Sequence, residues 1–319
     1  MNAIEVEALE KTYPKGIRAL DGVSFAVCEG EVFGLLGPNG AGKSTTVKIL
    51  ATLTTADAGR AVVAGRDVRV DANAVRQVIG YVPQQSGVDR EATGRENLTL
   101  QGRIQGRRGP ALRRRVEELL ERLDLTAAAD RLVKTYSGGM KRRLDIGLGL
   151  VHDPAVVYLD EPTTGLDPEA RVAMWAELER LVQEERLTVL LTTHYLEEAE
   201  RLTDRLAIVS RGAVVVEGTP DALKSSLRGD AVTVELGERS AEAAAGIVAA
   251  LAGVEEAQAH ERVLRARVAD GRKAVPEILS ALEAGGIAVA TVTVARPSLD
   301  DVYMRFTGRD FRAEDEAST

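Results

Sequence analysis

Apolar residues recur along this chain in two alternating rhythms. Short runs of strand formers, Val32 to Leu36, Ile79 to Val82, Val156 to Leu159, Val189 to Leu191 and Leu206 to Val209, are separated by stretches with helical spacing. Continued from the start to about Leu227, that alternation predicts an α/β domain on a largely parallel sheet. Between about residues 94 and 150 the strands stop. Leu112, Val116, Leu119, Leu120 and Leu123 fall there on one helical face, which predicts a helical insertion. Arg113 and Arg114 stand four residues before Glu117 and Glu118, so this charge run reads as a solvated face with intrahelical pairs.

After Arg228-Gly229-Asp230 the pattern restarts. Val232, Val234 and Leu236 alternate, and an Ala-rich helical stretch follows. Strand-like runs then cover about 254–259 and 264–268, ahead of an amphipathic helix (Val275, Ile278, Leu279, Leu282) and a strand through Val292 and Val294. The order βαββαβ predicts a small ferredoxin-like domain. Ser298 and Asp301 are spaced as a capping box opening a last short helix with Val302, Tyr303 and Phe306. The expected organisation is thus a large domain over 1–228, an accessory α+β domain over 229–312, and a polar, disordered tail over 313–319.

Composition adds limits. With 319 residues the chain can bury a large core, and because aromatics are only 3% that core must be aliphatic. A net charge of −8 argues against bulk attraction to nucleic acid or anionic lipid, and no nucleic-acid partner is expected. The single cysteine, Cys28, follows Val23, Phe25 and Val27 and is expected to be a buried small hydrophobe in a reducing compartment. The opening residues are acidic where a signal peptide needs basic ones, and no apolar run approaches the ~18 residues of a membrane span. A soluble chain is expected, with any membrane role supplied through a partner.

Chemistry enters with Gly37-Pro38-Asn39-Gly40-Ala41-Gly42-Lys43-Ser44-Thr45, which fits G-x-x-x-x-G-K-[ST] and follows the strand-like run Glu31 to Leu36. Such a loop turns backbone N–H groups toward phosphate oxygens, and the helix beginning near Lys43 adds its positive dipole end. Lys43 supplies a point charge and Ser44 a hydroxyl for Mg2+. Downstream, Val156-Val157-Tyr158-Leu159-Asp160-Glu161 ends an apolar strand in two acids. Asp160 is placed to hold Mg2+, directly or through water, and Glu161 to polarise an attacking water.

Tyr136-Ser137-Gly138-Gly139-Met140 then gives the chain a resemblance: it is similar to the signature motif of ATP-binding cassette subunits. That resemblance implies that Ser137, Gly138 and Gly139 bind the γ-phosphate of ATP held by the opposite subunit's P-loop. It also implies that Tyr13 stacks on adenine and that Gln84 reaches Mg2+ and the catalytic water, with Gln85 leaving a one-residue ambiguity. Asp167 would link the two subunits, although an N-cap before Pro168 explains it equally well. His194, in Leu191-Thr192-Thr193-His194-Tyr195, resembles the switch histidine that contacts the γ-phosphate; His152 and His260 have no such context. Tyr136 and Met140 depart from the Leu and Gln most common in the family.

The ending Arg296-Pro-Ser-Leu-Asp-Asp-Val-Tyr-Met with Thr307-Gly308-Arg309 resembles the C-terminal extension of daunorubicin-type drug-resistance exporter ATPases. The resemblance implies an ATP- and Mg2+-dependent ATPase that pairs with a second copy of itself and drives a multi-spanning membrane permease from the cytoplasmic face. Two rivals remain: a cassette ATPase acting on ribosomes or DNA, and an importer ATPase with a ligand-sensing C-terminal domain.

Overall fold

The computed structural model describes residues 1–185, 187–227, 229–237, 241–295, 297–308 and 311. Among the described residues it divides into two compact units, one over 1–220 joined by 306–308 and 311, and one over 221–305.

The first unit begins with two long strands, β1 (Asn2–Tyr13) and β2 (Ile17–Cys28), followed by β3 (Val32–Leu36) and the helix α1 (Lys43–Leu50). β4 (Ala58–Val63), β5 (Arg66–Asp67), α2 (Ala72–Arg76) and β6 (Ile79–Val82) come next. The predicted helical insertion holds α3 (Gly94–Ile104), α4 (Gly109–Arg122) and α5 (Gly138–Leu150). The chain then returns through β7 (Val156–Asp160), α6 (Pro168–Glu185), β8 (Thr188–Thr193), α7 (Leu196–Leu202), β9 (Arg205–Ser210) and β10 (Ala213–Gly218). One sheet, in the order β10-β9-β3-β8-β7-β6, is parallel except for β10 at its edge. A second, antiparallel sheet in the order β2-β1-β4-β5 lies outside the sequence expectation, which foresaw only the parallel one.

Strand parity divides two cores. Phe33 and Leu35 of β3, Tyr158 of β7 and Leu190 of β8 join the antiparallel sheet and α1 in one cluster. Their neighbours Val32, Val157, Leu159, Val189 and Leu191 point to the other face and meet Leu98, Leu119, Leu144 and Leu178 from the helices. Leu112, Val116, Leu119 and Leu120 are buried on α4 as the spacing predicts. The charge run there differs: Arg114 stands 3.8 Å from Glu118, but Glu117 pairs with Arg95 instead of Arg113. Cys28 is exposed, contrary to expectation. The buried set Val23, Phe25 and Val27 has odd numbering, so the next residue falls on the opposite face of β2.

The helix α8 (Pro220–Ser226) follows β10, and the second unit is then built from β11 (Asp230–Leu236), α9 (Ala241–Ala249), β12 (Val254–His260), β13 (Val263–Val268), α10 (Gly271–Ala284) and β14 (Val289–Ala295). Its four strands pair antiparallel in the order β12-β13-β11-β14, the split arrangement expected of βαββαβ. The last helix, α11 (Leu299–Thr307), opens as read from sequence. Asp301 accepts from the Ser298 backbone N–H at 2.8 Å, and Ser298 Oγ accepts from the Asp301 N–H at 3.3 Å. Arg228, Arg296, Arg309 and the tail 313–319 lie outside the described residues.

Candidate nucleotide site

Four neighbouring strands, β3, β8, β7 and β6, end at the same edge of the parallel sheet, and each delivers one part of the site. β3 runs into the loop Gly37 to Gly42, and α1 starts at Lys43. Gly42 caps that helix at φ 109°, and a Cβ there would sit 2.6 Å from the Ala19 carbonyl and 2.8 Å from Leu20 Cδ2. At Gly37 a Cβ would strike the Val209 carbonyl. These two positions are closed to any side chain. Pro38 and Ala41 are buried, Asn39 is half-buried and Gly40 is exposed with φ 78°, while Ser44 and Thr45 are half-buried in the first turn of α1.

Lys43 is buried and donates from Nζ to the carbonyls of Gly37 (2.7 Å) and Pro38 (3.0 Å). The same ammonium lies 3.3 Å from Glu161 Oε1. Glu161 Oε2 gathers three more groups: Gln84 Nε2 donates at 3.0 Å, Thr164 Oγ1 donates at 3.1 Å, and His194 Nδ1 sits at 3.2 Å, off the axis of a hydrogen bond. Gln84, and not Gln85, reaches the acid. Burial pushes the Glu161 carboxyl up, but His194, Lys43 and Thr164 outweigh it and hold it at about 2. Its backbone is left-handed at φ 48°, a strain of about 1–2 kcal/mol for a residue with a Cβ.

Asp160 lies beside it. Ser44 Oγ donates to Asp160 Oδ1 at 3.0 Å, Thr192 Oγ1 donates to the same oxygen at 2.7 Å, and Tyr81 OH approaches Oδ2 at 3.5 Å. Burial, with the Asp160 charge, pushes the Tyr81 phenol up to about 12. A serine hydroxyl and one carboxylate converging on one spot form the small hard-oxygen donor set with which Mg2+ is held when phosphates supply its other ligands.

The remaining expected residues stand apart from this cluster. Ser137 caps α5, its Oγ accepting from the Met140 N–H at 3.2 Å, and Ser137 and Gly138 are exposed. Gly139 is half-buried. Among the described residues no hydrogen bond joins this segment to the chain's own P-loop. Asp167 is exposed and caps α6, accepting from the Ala170 N–H at 2.9 Å. Tyr13 ends β1 half-buried, with Lys11 Nζ 5.8 Å from its ring centre.

Sequence reasoning missed three supporting residues. Thr192 is fully buried; its hydroxyl donates to Asp160 and accepts from the Glu161 N–H at 3.1 Å. Arg142 of α5 donates to the carbonyls of Pro83 (2.6 Å), Pro162 (2.6 Å) and Asp160 (3.4 Å), gripping the backbone on both sides of Glu161 and just before Gln84. Burial pulls this guanidinium down from its ordinary value, and Asp145, Glu198 and Asp160 offset the pull. Glu198 of α7 is fully buried and accepts from Thr163 Oγ1 (2.6 Å) and Trp175 Nε1 (2.9 Å). Their one signal is position: Thr192 and Glu198 bracket His194, and Arg142 follows Ser137-Gly138-Gly139.

Comparison with known proteins agrees with this geometry. The ABC transporter family model matches residues 20–164, and the model of the DrrA1-3-like ATP-binding protein C-terminal domain matches residues 218–307. The chain is 47% identical to the daunorubicin resistance ATP-binding protein DrrA2 of Streptomyces coeruleorubidus, over 96% of this chain and 95% of that protein. It is 42% identical to the daunorubicin/doxorubicin resistance ATP-binding protein DrrA of Streptomyces peucetius, over 99% and 96%. Among solved structures, cbiO1 from Clostridium perfringens, part of the transporter complex cbiONQ, shares 27% identity with a TM-score of 0.65, covering 70% of this chain and 91% of that one. An ATP-binding cassette called MJ1267, in its ADP conformation, shares 28% identity with a TM-score of 0.61, over 70% and 92%. Subunits of this kind work with a separate transmembrane component, and among the described residues no helix is long and apolar enough to cross a membrane. The chain therefore belongs to the ABC transporter family, as a nucleotide-binding, ATP-hydrolysing subunit of the daunorubicin/doxorubicin resistance group.

Proposed function

We propose that this chain powers an exporter: two copies close around two ATP molecules, and the closure drives a multi-spanning membrane subunit that carries an amphipathic compound or drug outward. The observation that carries the hydrolytic part is the convergence of Lys43, Gln84, Thr164 and His194 on Glu161, beside Ser44 on Asp160. The backbone of Gly37 to Thr45 and the Lys43 ammonium bind the phosphates, Tyr13 the adenine, and Glu161 takes the proton of the attacking water. Ser44, Asp160 and Gln84 are the residues that would hold Mg2+, which neutralises phosphate charge when bound.

The cluster also sets the basicity of Glu161. With Lys43 and His194 on it, Glu161 is a poor proton acceptor. The phosphates of ATP compete for the same ammonium, and withdrawing Lys43 raises the basicity of the carboxylate as substrate arrives. Ser137, Gly138 and Gly139 serve the ATP of the opposite copy, a use that suits an exposed helix start with no hydrogen bond to its own P-loop among the described residues. Asp167 caps α6 and meets the second copy.

A cleft of about 360 Å3 lined by Leu53, Ile79, Tyr81, Pro83, Gln101 and Gln105 opens next to Gln84. Its rim residue Leu53 is 60% exposed, and we assign the cleft to the membrane subunit at the cytoplasmic face. The accessory domain over 229–312 stabilises or regulates the pair. The two relatives named above are both resistance proteins, which supports drug as cargo.

Glu161→Gln tests the reading. The variant should bind ATP as tightly as the parent, lose about 10² to 10⁴ in turnover, and run as a dimer in ATP on size exclusion. Near-normal phosphate release would remove Glu161 from the chemistry.

A further inference from the structure

The helical insertion carries charge that catalysis does not use. From Asn97 to Val116 the chain holds six arginines and no acid, in a protein of net charge −8. Leu100, Arg103 and Ile104 are spaced i, i+3, i+4, so they share one stripe at the end of α3, and all three are exposed, Ile104 by 68%. Just beyond, Arg107, Arg108, Arg114 and Arg115 line a depression of about 260 Å3 whose acids are Glu118 and Asp153.

Part of this charge is answered locally. Arg107 and Arg115 reach Asp153 at 3.4 and 3.0 Å, and Arg114 stands 3.8 Å from Glu118. Arg103, Arg108 and Arg113 are exposed and form no ion pair among the described residues. A solvated helix face therefore accounts for three arginines and leaves three uncompensated charges, of which Arg103 shares its helix stripe with two apolar side chains in water. Basic residues interleaved with exposed apolar ones are the composition of a segment that rests on an anionic bilayer. The unpaired arginines are spread over a helix end, a turn and a second helix, which suits a plane of mobile phosphates better than one acidic side chain. Screening confines the effect to within ~10 Å, so the negative balance of the rest of the chain does not cancel it.

We propose that the end of α3 and the turn into α4 lie on an anionic phospholipid surface, with the arginines on headgroup phosphates and Leu100 and Ile104 in the interface. The inference rests on the exporter reading, which brings the chain to a membrane.

Flotation of the purified full chain with vesicles tests it. The chain should float with phosphatidylglycerol-containing vesicles, stay behind with pure phosphatidylcholine, and detach as salt rises. At about fivefold per arginine, R103Q/R108Q/R113Q should weaken binding roughly a hundredfold, and I104S severalfold, with ATP hydrolysis in solution unchanged because none of these residues touches the site. Equal binding to neutral vesicles, no binding, or unaltered binding by the triple variant overturns the proposal. If the parent ignores vesicles while the triple variant loses its hold on the membrane subunit, an acidic protein segment is the occupant; the lipid inference then falls and the exporter reading stands. Vesicle binding by a chain that co-purifies with ribosomes would remove the exporter reading alone.

Discussion

Thr192 uses one hydroxyl on two neighbours, donating to Asp160 Oδ1 and accepting from the strained Glu161 backbone. Ser44 shares that Asp160 oxygen, and a metal would draw the Ser44 hydroxyl away, leaving Thr192 as the group that still aims the carboxylate. Thr192→Val should therefore lower kcat by about fivefold to a hundredfold, the kinetic equivalent of a buried hydrogen bond worth 1–3 kcal/mol. It should also raise the Mg2+ needed for half-maximal rate and leave metal-free ATP binding alone, with Thr192→Ser recovering most of the loss. An unchanged Mg2+ dependence in the valine variant would relieve Thr192 of this role. Lys43, Ser44, Asp160 and Glu161 were legible because their spacing along the chain carries their chemistry. Thr192 and Arg142 were not, because a lone hydroxyl or guanidinium acquires meaning only from what folding brings beside it. Cys28 faces solvent because the alternation that buries Val23, Phe25 and Val27 puts the next position on the opposite face of β2.

Among the elements, α5 and β6 meet at unusually close range. A Cβ on Gly80 would strike the Gly149 carbonyl, and one on Gly149 would come within 2.9 Å of Val82 Cγ2. This contact joins the helix that starts at Ser137 to the strand that leads to Gln84. Gly80→Ala meets backbone, which cannot rotate away, so it should cost about 1–3 kcal/mol, seen as a lower denaturation midpoint with the m-value retained. A midpoint within error of the parent would mean that the helix slides without penalty. The parallel strands, the helical insertion and the βαββαβ order were readable because period and length agree there. The antiparallel sheet was not, since β1 pairs with β4, some fifty residues away, across the P-loop and α1.

For the whole molecule, one chain offers one P-loop and one Ser137-Gly138-Gly139 segment, and under the proposed clamp each complete site draws on two copies. Lys43→Ala and Ser137→Ala chains should each be nearly inactive alone, yet regain part of the activity when mixed, because a mixed pair contains one intact site. Absence of recovery would argue that each chain works by itself. The restart of alternation near Asp230 suggests an accessory domain over 229–312, whereas the compact units divide after Pro220 and place Phe306 with the first unit. The buried Glu198 has an optical consequence. It binds both Thr163, two residues past Glu161, and the indole of Trp175, the one tryptophan in the sequence. A shift of the Thr163 backbone as the site fills would alter that indole's hydrogen bond, so tryptophan emission should change when nucleotide is added, with no label needed.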